Sequence, residues 1–221
     1  MNRSARASFI ALATLLGASL LAAPDARAQA NAAKIDRMTD LVVELMPFGK
    51  IFEDLAKADP QWPLPMGGKG GVTKSQHACL RGELSPAGQR RMKRVDVAAY
   101  AAQNPARLDA EIRLLESGAS RLMNQLVLAG ADAERTGVAA NEAAILSAAS
   151  VEQLAAFMSL MQAPEYAGLR RLAGMGDVFD ASKSKEENEA AGEEVGADLA
   201  TQYMLKAMGT CEVSTSALFS E

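Results

Sequence analysis

Residues 150–164 read SVEQLAAFMSLMQAP, and this stretch decides the fold class. Ser150 and Gln153 form a capping box, in which each side chain satisfies a free backbone donor of the other residue. The apolar residues that follow lie at three- and four-residue steps: Leu154, Phe157, Met158 and Met161. Such spacing is typical of an amphipathic helix, which Pro164 then prevents from continuing. The stretch therefore predicts a short α-helix with both ends marked.

The same signals recur along the chain. Ser184 opens a second capping box, and Ser85-Pro86 supplies an N-cap followed by proline at the first helical position. Asn104-Pro105 repeats that pattern and predicts a long helix that ends at Gly130. Another apolar stripe is formed by Ile35, Met38, Leu41, Val42, Leu45 and Met46. Because alternating strand-like stretches are absent, the sequence predicts an all-α fold of six to eight helices.

Residues 59–74 interrupt this helical pattern. The segment begins with three prolines around Trp62, the only tryptophan, and continues with four glycines. We expect an extended proline half and a flexible glycine half. Trp62 is expected to pin the segment to the core rather than to bind a partner.

The N-terminal residues have the three parts of a secretory signal peptide. Arg3 and Arg6 precede an apolar run over 9–23, and small residues then offer cleavage after Ala28 or Ala30. The run is shorter than the roughly 20 residues that span a bilayer. We therefore predict a signal peptide over 1–28, a single helical domain over 31–221, and a periplasmic or secreted location without a transmembrane segment.

The charge balance of the exported chain argues against nucleic-acid binding. The full chain has 23 basic and 27 acidic residues, a net charge of −4. Removal of 1–28 takes away three basic residues and one acidic residue, so the net charge becomes −6. Nucleic-acid-binding domains are normally basic.

The chain contains two cysteines, Cys79 and Cys211. In an oxidising compartment an isolated pair normally forms a disulfide. The alternative is a metal site in which His77 joins the two thiolates. Structural zinc sites need four ligands, and His77 is the only histidine, so the disulfide is favoured.

Four cations lie close together in the helix that begins at Ser85: Arg90, Arg91, Lys93 and Arg94. They predict a contact patch for an anionic surface, such as lipid headgroups or an acidic protein. The alternative is a solvated helix face that pairs with the acidic run over 186–194.

No set of residues in the sequence indicates catalysis or a cofactor. His77, the natural candidate for a general base, lacks a recognisable nucleophile partner and is expected on the surface or in a loop. Residues 69–75 resemble a phosphate-binding loop, but the prolines before them exclude the buried strand that such a loop follows. The methionine pairs Met158/Met161 and Met204/Met208 are expected to pack in the core.

Residues 83–90, ELSPAGQR, resemble the S-P-x-G-Q-K/R segment of the helical domain-of-unknown-function family numbered 2059. The resemblance implies an exported all-α protein and brings no activity, cofactor or catalytic residue. Residues 44–50, ELMPFGK, have a similar shape, and 163–168 are similar in outline. These segments indicate either an internal helical repeat with a spacing near 40 or the shared preference for proline at the first helical position.

We expect the protein to act through protein or envelope contacts rather than by catalysis. The alternative is a small-ligand binding module, with an apolar pocket between helices gated by the segment 60–74. The identity of the partner and the oligomeric state are not encoded in any recognisable motif.

The signal-peptide assignment predicts the mature N-terminus. Protein recovered from outside the cytoplasm should begin at Gln29 or Asn31, as measured by intact mass. An exported chain that still begins at Met1 would contradict the assignment.

Overall fold

The computed structural model describes residues 23–67, 71–176 and 182–219. Most of the predicted signal peptide, the three residues 68–70 of the glycine half and the last two residues lie outside this description. The α-helices are α1 (Ala23–Leu45), α2 (Phe48–Ala58), α3 (Lys74–Glu83), α4 (Pro86–Gln103), α5 (Leu108–Leu114), α6 (Ser120–Thr136), α7 (Glu142–Ala148), α8 (Val151–Gln162), α9 (Ala167–Ala173) and α10 (Lys185–Thr210).

The all-α prediction is confirmed. A π-helical turn over Leu115–Ala119 joins α5 to α6, and 3-10 turns cover Pro164–Tyr166 and Thr215–Phe219. Within the described ranges the only extended pairing is an isolated bridge between Met66 and Val72. The described residues form ten α-helices instead of the predicted six to eight. The sequence signals do not predict α3, and the predicted helix over 105–130 is divided into α5 and α6.

Local capping explains where most helices begin. Ser85, Ser150 and Ser184 accept hydrogen bonds from backbone N–H groups in the first turns of α4, α8 and α10, as predicted. Thr73 caps α3 in the same way and forms a capping box with Gln76. The Pro/Gly-rich segment therefore ends where helix α3 begins.

The predicted helix from Pro105 to Gly130 is wrong at both ends. Asn104 ends α4 instead of starting the next helix, because its side-chain amide donates to the Tyr100 carbonyl at 3.0 Å. Gly130 lies inside α6, which ends at Gly137 in the left-handed conformation. Gly118, with φ 106°, interrupts the helix instead, and a Cβ there would lie 2.4 Å from the Gln153 side chain.

Helix α1 is at the centre of the core. It packs most extensively against α4 and α6. The predicted apolar stripe of α1 is buried, apart from Ile35, which is half-buried at its edge. The C-terminal half of α10 completes the core with Leu199, Tyr203, Ala207 and Met208. Among the described side chains of α1, hydrogen bonds and ion pairs begin at Lys34, so cleavage at either predicted site would leave these contacts intact.

The two similar sequence segments, 44–50 and 83–90, pack against each other. Gly49 approaches so closely that a Cβ on it would lie 2.6 Å from the Pro86 Cα. The buried Gln89 side chain accepts from the Gly49 N–H at 2.7 Å and donates to the Met46 carbonyl at 2.6 Å. This contact fixes the corner between α1 and α2 on the first turn of α4.

The predicted disulfide between Cys79 and Cys211 is confirmed. The Cα atoms are 5.7 Å apart, and the bond joins α3 to the residue that ends α10. It closes a loop with a sequence separation of 132 residues. A cross-link lowers the conformational entropy of the unfolded chain. For so long a loop, this effect stabilises the folded state by about 4–5 kcal/mol.

Adding a methyl group at the α2–α4 contact should destabilise the fold. We expect Gly49→Ala to lower the free energy of unfolding by about 1–3 kcal/mol, because backbone atoms of Pro86 must move. The matched control is Gly192→Ala in α10, where a Cβ meets open space. That change should stabilise by about 0.5–1 kcal/mol. Urea unfolding measures both, and equal effects would contradict the tight contact.

Removing the disulfide should have the same effect from either end. Cys79→Ser, Cys211→Ser and the double substitution should lower the melting temperature equally, because each removes the same cross-link. Calorimetry of the three variants measures this. Clearly additive losses would show that the two cysteines stabilise the fold independently.

Candidate functional site

The exposed arginines of the predicted basic patch are engaged in ion pairs. Arg90 pairs with Asp40 at 2.5 Å, and Arg94 pairs with Asp36 at 2.6 Å. The hydrogen bond from Arg94 holds the pKa of Asp36 below its usual value. Arg91 pairs with Glu83. These partners lie on α1 and α3 rather than in the acidic run 186–194, so the alternative interpretation had the wrong acidic residues.

Lys93 is not part of this exposed surface. It is buried, and its Nζ donates to the Leu172 carbonyl at 3.0 Å and lies 5.8 Å from the centre of the Tyr203 ring. Burial lowers the pKa of Lys93, although Asp96, 3.8 Å away, opposes that effect. The structure therefore separates the four cations into three paired surface groups and one interior group. That these four cations bind an anionic partner stays a prediction.

His77 lies inside the protein, contrary to the surface or loop position expected from the sequence. It is on α3, and its Nε2 is 3.3 Å from the Gln61 carbonyl oxygen. The residue therefore connects α3 to the Pro-rich segment. Among the described residues, no group of three or more histidine, cysteine, aspartate or glutamate side chains is arranged to hold a metal ion.

A second buried polar group, missed in the sequence, joins α4 to α5. Glu111 is fully buried and accepts hydrogen bonds from the Tyr100 hydroxyl at 2.6 Å and from Arg107 Nε at 3.1 Å. Burial and the bond to Glu111 raise the pKa of Tyr100. No sequence motif identifies this group, since its members come from different helices and turns.

An apolar cleft lies between α2, the Pro-rich segment and the junction of α3 and α4. Its volume is about 250 Å³. The lining residues are Phe52, Glu53, Ala56, Lys57, Trp62, Arg81, Leu84 and Ser85, and we call this site the aromatic cleft. Trp62 packs against Phe52 with the ring centroids 5.5 Å apart. The expectation that Trp62 attaches its segment to the core is thus confirmed.

Arg81 has an unusual position at the aromatic cleft. Its Nη2 donates to the Ala56 carbonyl at 2.6 Å and its Nη1 to the Pro60 carbonyl at 3.3 Å. These bonds hold the guanidinium at the C-terminal end of α2, where backbone carbonyls attract a cation. Among the ion pairs of the described residues, none involves Arg81.

Helices α7 and α8, together with the segment that precedes α7, expose a set of large apolar side chains. The exposed fractions are 85% for Val151, 70% for Val138, 45% for Met158 and 37% for Leu146. We call the surface formed by these four residues and by helices α7 and α8 the α7–α8 surface. Helix α7 has no buried residue at all. The expectation that Met158 packs in the core is wrong, because the apolar stripe of α8 is wider than the face covered by the π-helical turn and α6.

None of the described helices alone is long and apolar enough to cross a bilayer. Helices α7 and α8 reach that length and composition only as a pair, bent by 120° at their junction.

Comparisons with known proteins do not identify a relative. No protein-family model matches the chain. Neither a curated protein nor a solved structure is significantly similar to it. The resemblance of residues 83–90 to the family numbered 2059 therefore stays a prediction.

Proposed function

We propose that this chain is an exported, non-enzymatic helical protein that acts by binding another protein through the α7–α8 surface. The observation that carries the proposal is the exposure of Leu146 on α7, of Val151 and Met158 on α8, and of Val138 just before α7. Single exposed apolar residues are common on proteins, whereas several of them on neighbouring elements are typical of an interaction surface.

Burial of this surface would be strongly favourable. Covering an exposed valine, leucine or methionine side chain completely contributes about 1.5–3 kcal/mol. Helix α7 has seven residues, none of them buried, and isolated helices shorter than about 12 residues are marginal in water. A partner that covers α7 would therefore stabilise the helix as well as the contact.

The charges around the surface favour a partner with basic residues at the rim of its own apolar patch. The stretch 137–169 contains no lysine or arginine but three glutamates, Glu142, Glu152 and Glu165. A second copy would bring these acidic residues towards each other, and an anionic bilayer would repel them. A protein with an apolar patch bordered by lysine or arginine complements both features.

Export into an oxidising compartment is part of the same proposal. The disulfide between Cys79 and Cys211 supports it, since such bonds persist outside the cytoplasm. The signal-peptide pattern over 1–28 supports it independently. The partner is then an envelope or extracellular protein.

Site-specific photo-crosslinking in the producing cell tests the proposal. A photoreactive residue at Val151 should give one discrete protein adduct, identified by mass spectrometry. The same residue at Arg113, which is exposed on α5, should give none. Introducing Met158→Glu into the Val151 probe should abolish the adduct while the melting temperature remains unchanged, because Met158 contributes little to the core.

Three results would contradict the proposal. They are the absence of an adduct at Val151, the same adduct at Arg113, and an adduct made only of lipid or of a second copy of this chain. A partner without basic residues near the crosslinked position would contradict the argument from charge.

A further inference from the structure

We propose that the aromatic cleft binds a small amphipathic anion, with an apolar body against the rings of Phe52 and Trp62 and a carboxylate on Arg81. This binding site is separate from the protein contact proposed for α7 and α8. Its elements are an apolar chamber of limited size and one cation without an acidic partner among the described residues.

The walls of the cleft suit an apolar chain. Phe52 and Leu84 are 6% and 1% exposed, so their positions are held by the core behind them. Trp62 is half-buried and covers the cleft from the Pro-rich segment, which is anchored by the buried Leu64. The volume of about 250 Å³ is below the range of about 300–1,000 Å³ found for drug-sized ligands. The occupant is therefore a small molecule or a single chain.

Arg81 gives the cleft a preference for anions. A guanidinium has five N–H donors, and the two carbonyls of Ala56 and Pro60 use two of them. The carbonyls orient the group without neutralising its charge. The remaining donors are available to a carboxylate, for which the planar guanidinium is well suited.

The other charges at the rim do not cancel this preference. Lys57 lies 3.4 Å from Glu53 and 3.5 Å from Asp54, so its charge is offset by neighbours on its own helix. Glu53 in turn has Lys57 as its counter-ion. The sign of the head group is thus decided by Arg81.

The chain carries its own reporter for this site, because Trp62 is the only tryptophan. Fluorescence excited selectively at Trp62 should shift saturably when the disulfide-bonded protein is titrated with sodium octanoate. We expect a Kd of about 1 mM or tighter, which lies within the upper bound on affinity for a ligand of this size. Octanol and octylamine have the same apolar body, and each should bind at least about tenfold more weakly.

Variants separate the contributions of head group and chamber. Arg81→Gln should reduce the affinity for octanoate to that for octanol. Ala56→Leu should abolish both, because it fills the chamber. Arg121→Gln, which changes an exposed arginine on α6, serves as the control and should leave the selectivity unchanged.

The comparison of the three ligands in the unmodified protein does not depend on how well any variant folds. Equal affinity for octanoate, octanol and octylamine would overturn the proposal, as would the absence of a saturable change at Trp62. Retained selectivity in a folded Arg81→Gln variant would also overturn it.

Discussion

The side chain of Gln89 is the constraint on which most of the structure depends. It is buried on the first turn of α4, accepts from the Gly49 N–H and donates to the Met46 carbonyl, which also accepts from the Phe48 N–H at 2.9 Å. Its amide also lies 3.4 Å from the Tyr203 hydroxyl on α10. A buried polar group without a partner costs about 1–3 kcal/mol, so these bonds specify one arrangement of four helices.

The direction of α2 follows from that corner, and the aromatic cleft follows from the direction of α2. Phe48 at the start of α2 contacts Tyr203, with ring centroids 5.5 Å apart, and lies 6.0 Å from Phe52 one turn later. Phe52 then contacts Trp62. A continuous row of aromatic rings thus connects the α10 side of the core to the cleft. Burial raises the pKa of Tyr203 to about 12.

The α7–α8 surface depends on a different local feature. Gly118 adopts a left-handed conformation that only glycine takes up readily, and the Gln153 side chain of α8 fills the space beside it. Helix α8 is therefore held against the π-helical turn by one face, with Ala156 and Leu160 buried. Val151 and Met158 lie on its other side. The same contact that attaches α8 to the body leaves its wide apolar stripe partly uncovered.

Most features with local causes could be predicted from the amino-acid sequence. Caps such as Ser85, Ser150 and Ser184 could be predicted because a helix N-terminus needs acceptors within three residues. The disulfide could be predicted because only two cysteines exist. Tertiary contacts produce the burial of His77 and Lys93, the ion pairs of Arg90 and Arg94, the aromatic cleft and the exposure of Met158. Periodicity shows that a helix has an apolar face, but which residues cover that face depends on contacts between segments far apart in the chain.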